Sequence, residues 1–251
     1  MSLTGSNDSV TMAAGSNLTV SGSNDAIAAT TGDGITISSG TGETITGAGL
    51  TITAASGTGL TAGGNGLNGD RIWVTASGAS VGVQAGSHVR VIGSNDKATI
   101  AAGANLILYG SNDSITATTG DGISVNSGTG GTITGAGFTA YGAADTGFTI
   151  KGTGDVVYAG LNDALTDSGS STLFKIGSNV GALSISGFGT DAAGIVDLIN
   201  GVAGFASASQ AFAALTSDGH GGSLLSLGVN GSIDLAGVAP SSLHVANFKI
   251  G

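Results

Sequence analysis

The chain repeats itself: residues 5–60 recur almost line for line at 93–148, an offset of 88. GSNDSVTMAAGSNLTVSGSNDAIAATTGDGITI in the first copy becomes GSNDKATIAAGANLILYGSNDSITATTGDGISV in the second. A unit repeated this closely is a piece of architecture stacked on itself. It also argues against an enzyme, because an active site is ordinarily one asymmetric constellation.

Inside the 88-residue unit lies a shorter period. GSND occurs at Gly5, Gly22, Gly93 and Gly110, GLND at Gly160 and GSNV at Gly177, and each successive pair is 17 apart. Between these turns sit apolar strand centres: Val10, Leu18, Ile27, Ile35 and Ile45, then Ile100, Leu106, Ile115, Ile123 and Ile133. A short strand plus a tight turn takes about nine residues. Two such steps return the chain over its start, one strand spacing of ~4.8 Å higher. Alternation agrees: in Ile35-Thr36-Ile37 the isoleucines point inward, and in Thr44-Ile45-Thr46 the order reverses. The expected fold is all-β, a parallel β-roll or β-solenoid with about 17–18 residues per coil. The 17-residue return of GSND argues against a three-sided solenoid with longer coils. The short step from Ile45 to Leu50 reads as a bulge, and residues 63–70 as a loop.

Residues 1–180 are expected to form this solenoid, and residues 181–251, which lose the short period, a small α+β cap. In the cap, Ile195 to Ile199 reads as a strand and Ala206 to Leu215 as a helix with Ser207 or Ser209 as N-cap. Ser223 to Leu227, Asn230-Gly231 and Ile233 to Leu235 read as a hairpin with a type I′ turn. LHVANFKIG reads as a last strand.

Gly is 48 residues and Pro one, which alone would suggest disorder, but 40% of residues are hydrophobic and only 9% charged, so a core can form. With 4% aromatics it should be thin and built from Val, Ile, Leu and Ala. The formal net charge is −10. Nucleic acid and anionic membrane surfaces are therefore poor expected partners, and cations better ones. There is no Cys, so disulfides and thiolate metal sites are excluded. MSLTGSNDSV lacks the basic and apolar regions of a signal peptide, and no apolar run is long enough for a transmembrane helix.

The acids are spaced like the turns. Asp8, Asp25 and Glu43 lie 17 and 18 apart, and Asp96 and Asp113 lie 17 apart, with Gly131 in the next place. The opposite edge carries Asn17 and Asn105 where an acid would sit, while Asp33 and Asp121 have no acidic neighbour one coil on. Stacked carboxylates repel, which argues for a cation. Asn and Asp also favour tight turns and hydrogen-bonded ladders, and both readings stand. Each GSND turn is followed by one residue and then an apolar one, as in Asp113-Ser114-Ile115. This resembles the repeats-in-toxin nonapeptide G-G-x-G-x-D-x-L-x, although most turns here lack the double glycine. The resemblance implies a β-roll with calcium between successive turns, held by Asp8, Asp25, Glu43, Asp96 and Asp113.

No enzyme motif is found. His88, His220 and His244 are far apart, GDG at 32–34 and 120–122 opens no helix, and Arg71 and Arg90 around Trp73 read as a solvated irregular stretch. Thr-x-Thr at 44–46, 51–53 and 132–134 is not on every coil, so it reads as ordinary outward threonine rather than an ice-binding row.

Gly187-Phe188 with Ile195-Val196-Asp197-Leu198, and the ending Leu243 to Ile250, resemble the C-terminal domains of proteins exported by type I secretion systems. That resemblance implies the type I secretion machinery as a partner and an extracellular or cell-surface address. GSND begins at residue 5 with no capping segment before it, so the first coil is expected to offer its edge to another copy, head to tail. The expected function is a secreted structural protein that self-assembles as filament, surface layer or matrix. A calcium-dependent adhesion or carbohydrate-binding module is the alternative, with no nucleic-acid partner and no membrane insertion in either case.

Overall fold

Apolar residues at alternate positions give each short strand one inward side, and two such strands per coil shield each other from water. The computed structural model describes residues 1–64, 72–190 and 193–251. The chain divides into two units, Met1–Ile123 and Ser124–Gly251. Each is built of coils stacked as a parallel β-solenoid.

The N-terminal unit begins with β1 (Ser2–Ser6), β2 (Ser9–Thr11), β3 (Asn17–Ser23) and β4 (Ala26–Ala28). β1 pairs with β3 in one sheet and β2 with β4 in the other, both parallel and both 17 residues out, as in Ser2↔Thr19 and Ser9↔Ala26. The same register carries His88–Ile92 onto Asn105–Tyr109 and Lys97–Ile100 onto Ser114–Thr116. The coil containing residues 65–71 is longer, with Thr51 opposite Trp73. The loop expected at 63–70 therefore falls mostly outside the described residues. Between the sheets lie the expected aliphatics, including Leu18, Val20, Ile27, Ile35, Ile37, Ile45 and Ile52, all 2% exposed or less. Ile45 to Leu50 is a bend rather than a bulge, turned by Gly47 and Gly49 at positive φ and ending on buried Leu50. The register shifts lie instead at Val20/Ser21 and Thr41/Glu43.

In the C-terminal unit the core is not purely aliphatic: Phe138, Phe148, Phe174 and Phe188 are buried, and the last two rings pack 6.1 Å apart. The last seventy residues do more than cap. Ile195–Leu198 and Phe248–Ile250 extend one sheet in parallel, and Gly231–Ala236 extends the other from Gly181–Ser186. The chain leaves the solenoid, makes a short excursion and returns to finish the coil. That excursion holds α1 (Ala208–Ala213), shorter than expected, with the Ser207 side chain accepting from the Gln210 amide at its N-terminus. It also holds the expected antiparallel pairing of Ser223–Ser226 with Gly231–Ala236. The connection is not a type I′ turn on Asn230-Gly231. It is a 3-10 turn over Gly228–Asn230 in which Gly228 and Gly231, but not Asn230, take a positive φ. Among the described residues no helix is long and apolar enough to cross a membrane.

Coil stacking explains the GSND glycines Gly22, Gly93 and Gly110. At Gly110 the φ is +150°, and an added Cβ would lie 1.3 Å from the Gly93 carbonyl oxygen one coil below. At Gly103, on the opposite edge, φ is +74° but the space is open. Gly110→Ala is expected to lower unfolding free energy by at least ~3 kcal/mol and Gly103→Ala by only ~1–2 kcal/mol, measured by urea denaturation.

Candidate functional site

The repeated turn is the most distinctive chemical feature, and each of its letters has a separate physical task. Glycine lets the carbonyl of the neighbouring coil approach the backbone. The serine hydroxyl accepts from the next coil's serine amide: Ser6 Oγ from Ser23 N–H at 3.1 Å, Ser94 Oγ from Ser111 N–H at 3.0 Å. Asparagine takes the left-handed backbone conformation at Asn7, Asn24, Asn95 and Asn112, with φ between 60° and 63°. Aspartate turns inward and reaches the preceding coil. Asp25 Oδ1 accepts from the Asp8 amide at 2.9 Å, Asp96 Oδ1 from the Ala79 amide at 2.9 Å, and Asp113 Oδ1 from the Asp96 amide at 2.9 Å.

The opposite edge follows the same rule. Asp33 accepts from the Ser16 amide and from the Thr30 amide and hydroxyl. Asp121 accepts from the Ala104 amide and from the amide and hydroxyl of Thr118. In the C-terminal unit Asp155 Oδ1 accepts from the Phe138 amide, and Asp163 from Thr146 and the Gly160 amide. Asp33 and Asp121 belong to the ladder although they lack acidic neighbours. The signal that identifies them is the repeated Thr-Thr-Gly-Asp, at 30–33 and 118–121, which supplies its own donor.

The five residues proposed for a cation thus sit at one kind of edge. Asp25, Glu43, Asp96 and Asp113 are buried and Asp8 is half-buried. Asp25, Asp96 and Asp113 each accept an amide of the preceding coil, while neither Glu43 oxygen has a hydrogen-bond partner. Among the described residues no three acidic or imidazole side chains group to share a metal ion. What remains is a row of half-used carboxylates: the second oxygens of Asp25, Asp96 and Asp155 and both oxygens of Glu43 are buried without a hydrogen-bond partner.

Burial raises the pKa values of Glu43, Asp96, Asp113 and Asp163. The Asp25 charge adds to the effect at Glu43, and the Asp96 charge at Asp113. For Asp155 burial, with a smaller push from Asp167, brings the pKa to about 6. Asp33 is held low, chiefly by the Thr30 amide.

The histidines lie in separate elements: His88 on a strand, His220 in a turn and His244 ahead of Val245–Asn247. Asn247 accepts from the His244 amide and donates to the Gly194 carbonyl. Trp73 and Arg90 are not in an irregular stretch. They occupy outward positions on strands Ile72–Thr75 and His88–Ile92, directly opposite each other.

No family model, no curated protein and no solved structure matches this chain. Fold and turns define a class: a parallel β-solenoid whose turns are joined by buried carboxylates.

Two expectations follow. A carboxyl with a raised pKa binds its proton more tightly folded than unfolded, so its contribution is full below pH 3.8 and lost as pH rises through about 6 for Asp155. At ~1.4 kcal/mol per pH unit this one group accounts for roughly 2–3 kcal/mol. Melting temperature should therefore rise from pH 8 to pH 5, and Asp155→Asn should flatten the profile near pH 6 while preserving stability at pH 7. Melting curves in calcium and in chelator should coincide, because the turns are joined by amides; a large calcium-dependent rise in melting temperature would show the rows to be cation sites.

Proposed function

We propose that this protein is an extracellular structural protein that self-associates by edge-to-edge stacking of its solenoid coils. The observation that carries this reading is the rung that joins successive coils, a turn carboxylate accepting the amide of the neighbouring coil, which one copy can offer to another as readily as one coil to the next. Each described GSND aspartate after the first accepts an amide from the preceding coil, but the Asp8 carboxylate accepts no hydrogen bond within the described chain. β1 and β2 likewise each pair on one side only. Their exposed edges carry no charge, no Pro and no bulge, the devices that usually block edge-to-edge pairing. In the C-terminal unit, by contrast, one sheet ends in an antiparallel hairpin and α1 packs against Phe248–Ile250. The repeats-in-toxin and type I secretion resemblances support an export route and an extracellular address. Repetition without an asymmetric catalytic constellation supports a mechanical role.

Hydrogen-bond alternation gives a clean test. The Met1 carbonyl accepts from Thr19, so odd-numbered groups of β1 face β3 and Thr4 points its amide outward. The Asp8 carbonyl accepts from Ala26, and the Met12 amide donates to Ala28, so Thr11 points its amide outward from β2. Thr4→Pro with Thr11→Pro should block the edge without breaking an intramolecular ladder bond. Negative-stain electron microscopy should show concentration-dependent filaments or sheets of the natural sequence, and monomers of the double variant with little change in melting temperature. Monomers of the natural sequence at every concentration would sink the proposal.

A further inference from the structure

The outer surface of the N-terminal unit has a charge pattern that the formal net charge of −10 conceals. Its described acids are Asp8, Asp25, Asp33, Asp96, Asp113 and Asp121 in turns and Glu43 on the strand Thr41–Thr46, and all but Asp8 are buried. The outward positions of its first sheet carry no acid. Early coils present Thr19, Thr36, Thr51 and Thr53, and later ones Trp73, His88, Arg90, Asn105 and Tyr109.

Arg90 is the centre of this patch. Its guanidinium lies 4.2 Å from the Trp73 ring centroid and 4.0 Å from that of Tyr109. Aromatic rings from both neighbouring strands thus lie against the guanidinium and restrict its movement. Nε is buried without an acceptor, and among the described residues Arg90 has no acidic partner. His88 stands two residues away on the same face of the strand, its Nε2 3.1 Å from Asn105 Nδ2. Trp73 remains 40% exposed.

We infer that this patch binds an acidic polysaccharide, with Arg90 taking a carboxylate or sulfate of the glycan. The preorganised fork matches a planar or multi-oxygen anion. His88, Asn105 and the adjacent threonine rows offer hydrogen bonds to hydroxyls, and Trp73 offers an apolar edge. A flat, acid-free sheet face suits an extended polymer. One guanidinium and one imidazole are too few for a nucleic acid, whose affinity grows with the number of phosphates neutralised. A related arrangement stands in the C-terminal unit, where Tyr141 and Tyr158 stack at 4.8 Å and the Lys175 ammonium lies 5.4 Å from the Tyr158 ring.

The test is calorimetric titration of the full chain with alginate oligomers, at low and high salt, with neutral dextran and single-stranded poly(dT) as comparisons. Alginate should bind in a salt-sensitive manner. Arg90→Gln should abolish binding, and Arg90→Lys and Trp73→Ala should each weaken it at least tenfold. Lys97→Gln, on the other sheet, should change it less than twofold. Arg90→Lys keeps the charge, so it separates the held fork from general attraction even if Arg90→Gln folds poorly. Absence of alginate binding would overturn the proposal. So would equal loss in Lys97→Gln, equal binding of dextran or poly(dT), or an Arg90→Gln effect seen only as dissociation of a glycan-free oligomer. The monomeric Thr4→Pro/Thr11→Pro form should still bind alginate, so this site stands or falls separately from end-to-end assembly.

Discussion

The amide-to-carboxylate bond between successive coils is the interaction on which the rest of this architecture depends. A solenoid satisfies its strand backbones automatically, because every coil pairs with the next. Its turns are the difficulty, since they are stacked ~4.8 Å apart and shielded by the coils above and below. An amide left unpaired there costs about 1–3 kcal/mol. Asp25, Asp96 and Asp113 meet this need with one carboxylate oxygen each, and Asp33 and Asp121 meet it on the other edge. The glycines that open the turns at Gly22, Gly93 and Gly110 follow from the same spacing, because a side chain there would occupy the neighbouring carbonyl's place.

This dependence explains what the sequence disclosed. Coil length, parallel pairing and the inward isoleucines were legible because every coil faces the same stacking constraint and answers it with the same letters. The direction of the aspartates was not legible. An outward carboxylate in a cation row and an inward carboxylate on an amide occupy the same place in a repeat. Trp73 and Arg90 are spaced by the ordinary 17. Their pairing was hidden because Trp73 follows the lengthened coil, where counting from Thr51 loses the period. In the last seventy residues Ile195–Leu198, Ser223–Ser226, Gly231–Ala236 and Phe248–Ile250 were readable as strands. Their return to the solenoid was not, because Val196 pairs with Phe248 across 52 residues that carry no repeat.

Using acids as internal acceptors also changes what the composition means. A count of charges treats each carboxylate as solvent-facing and ionised. Here Asp25, Glu43, Asp96, Asp113, Asp155 and Asp163 are enclosed, and burial raises the pKa values of Glu43, Asp96, Asp113, Asp155 and Asp163. The second oxygen of Asp155 has no protein partner, and a proton is the smallest group that removes its charge. Acidic conditions therefore tighten these turns. They also leave the sheet faces, with Arg90, Lys97, Lys151 and Lys175, to set the electrostatics that a partner meets.

The ladder has a direction, and direction bears on how such a molecule can associate. Each GSND aspartate rung runs from a carboxylate to the amide of the coil before it, so a coil has unlike sides: one offers a carboxylate, the other an amide. Two acceptor sides brought together would set carboxylate against carboxylate, a like-charge contact with no hydrogen bond to offset its desolvation. An acceptor side meeting a donor side makes the same bond that already joins the internal coils. Such a contact is heterologous and does not close on itself, so its natural product is a polymer rather than a dimer. The polarity that lets a coil recognise its predecessor within the chain is thus the property that would let one chain recognise another.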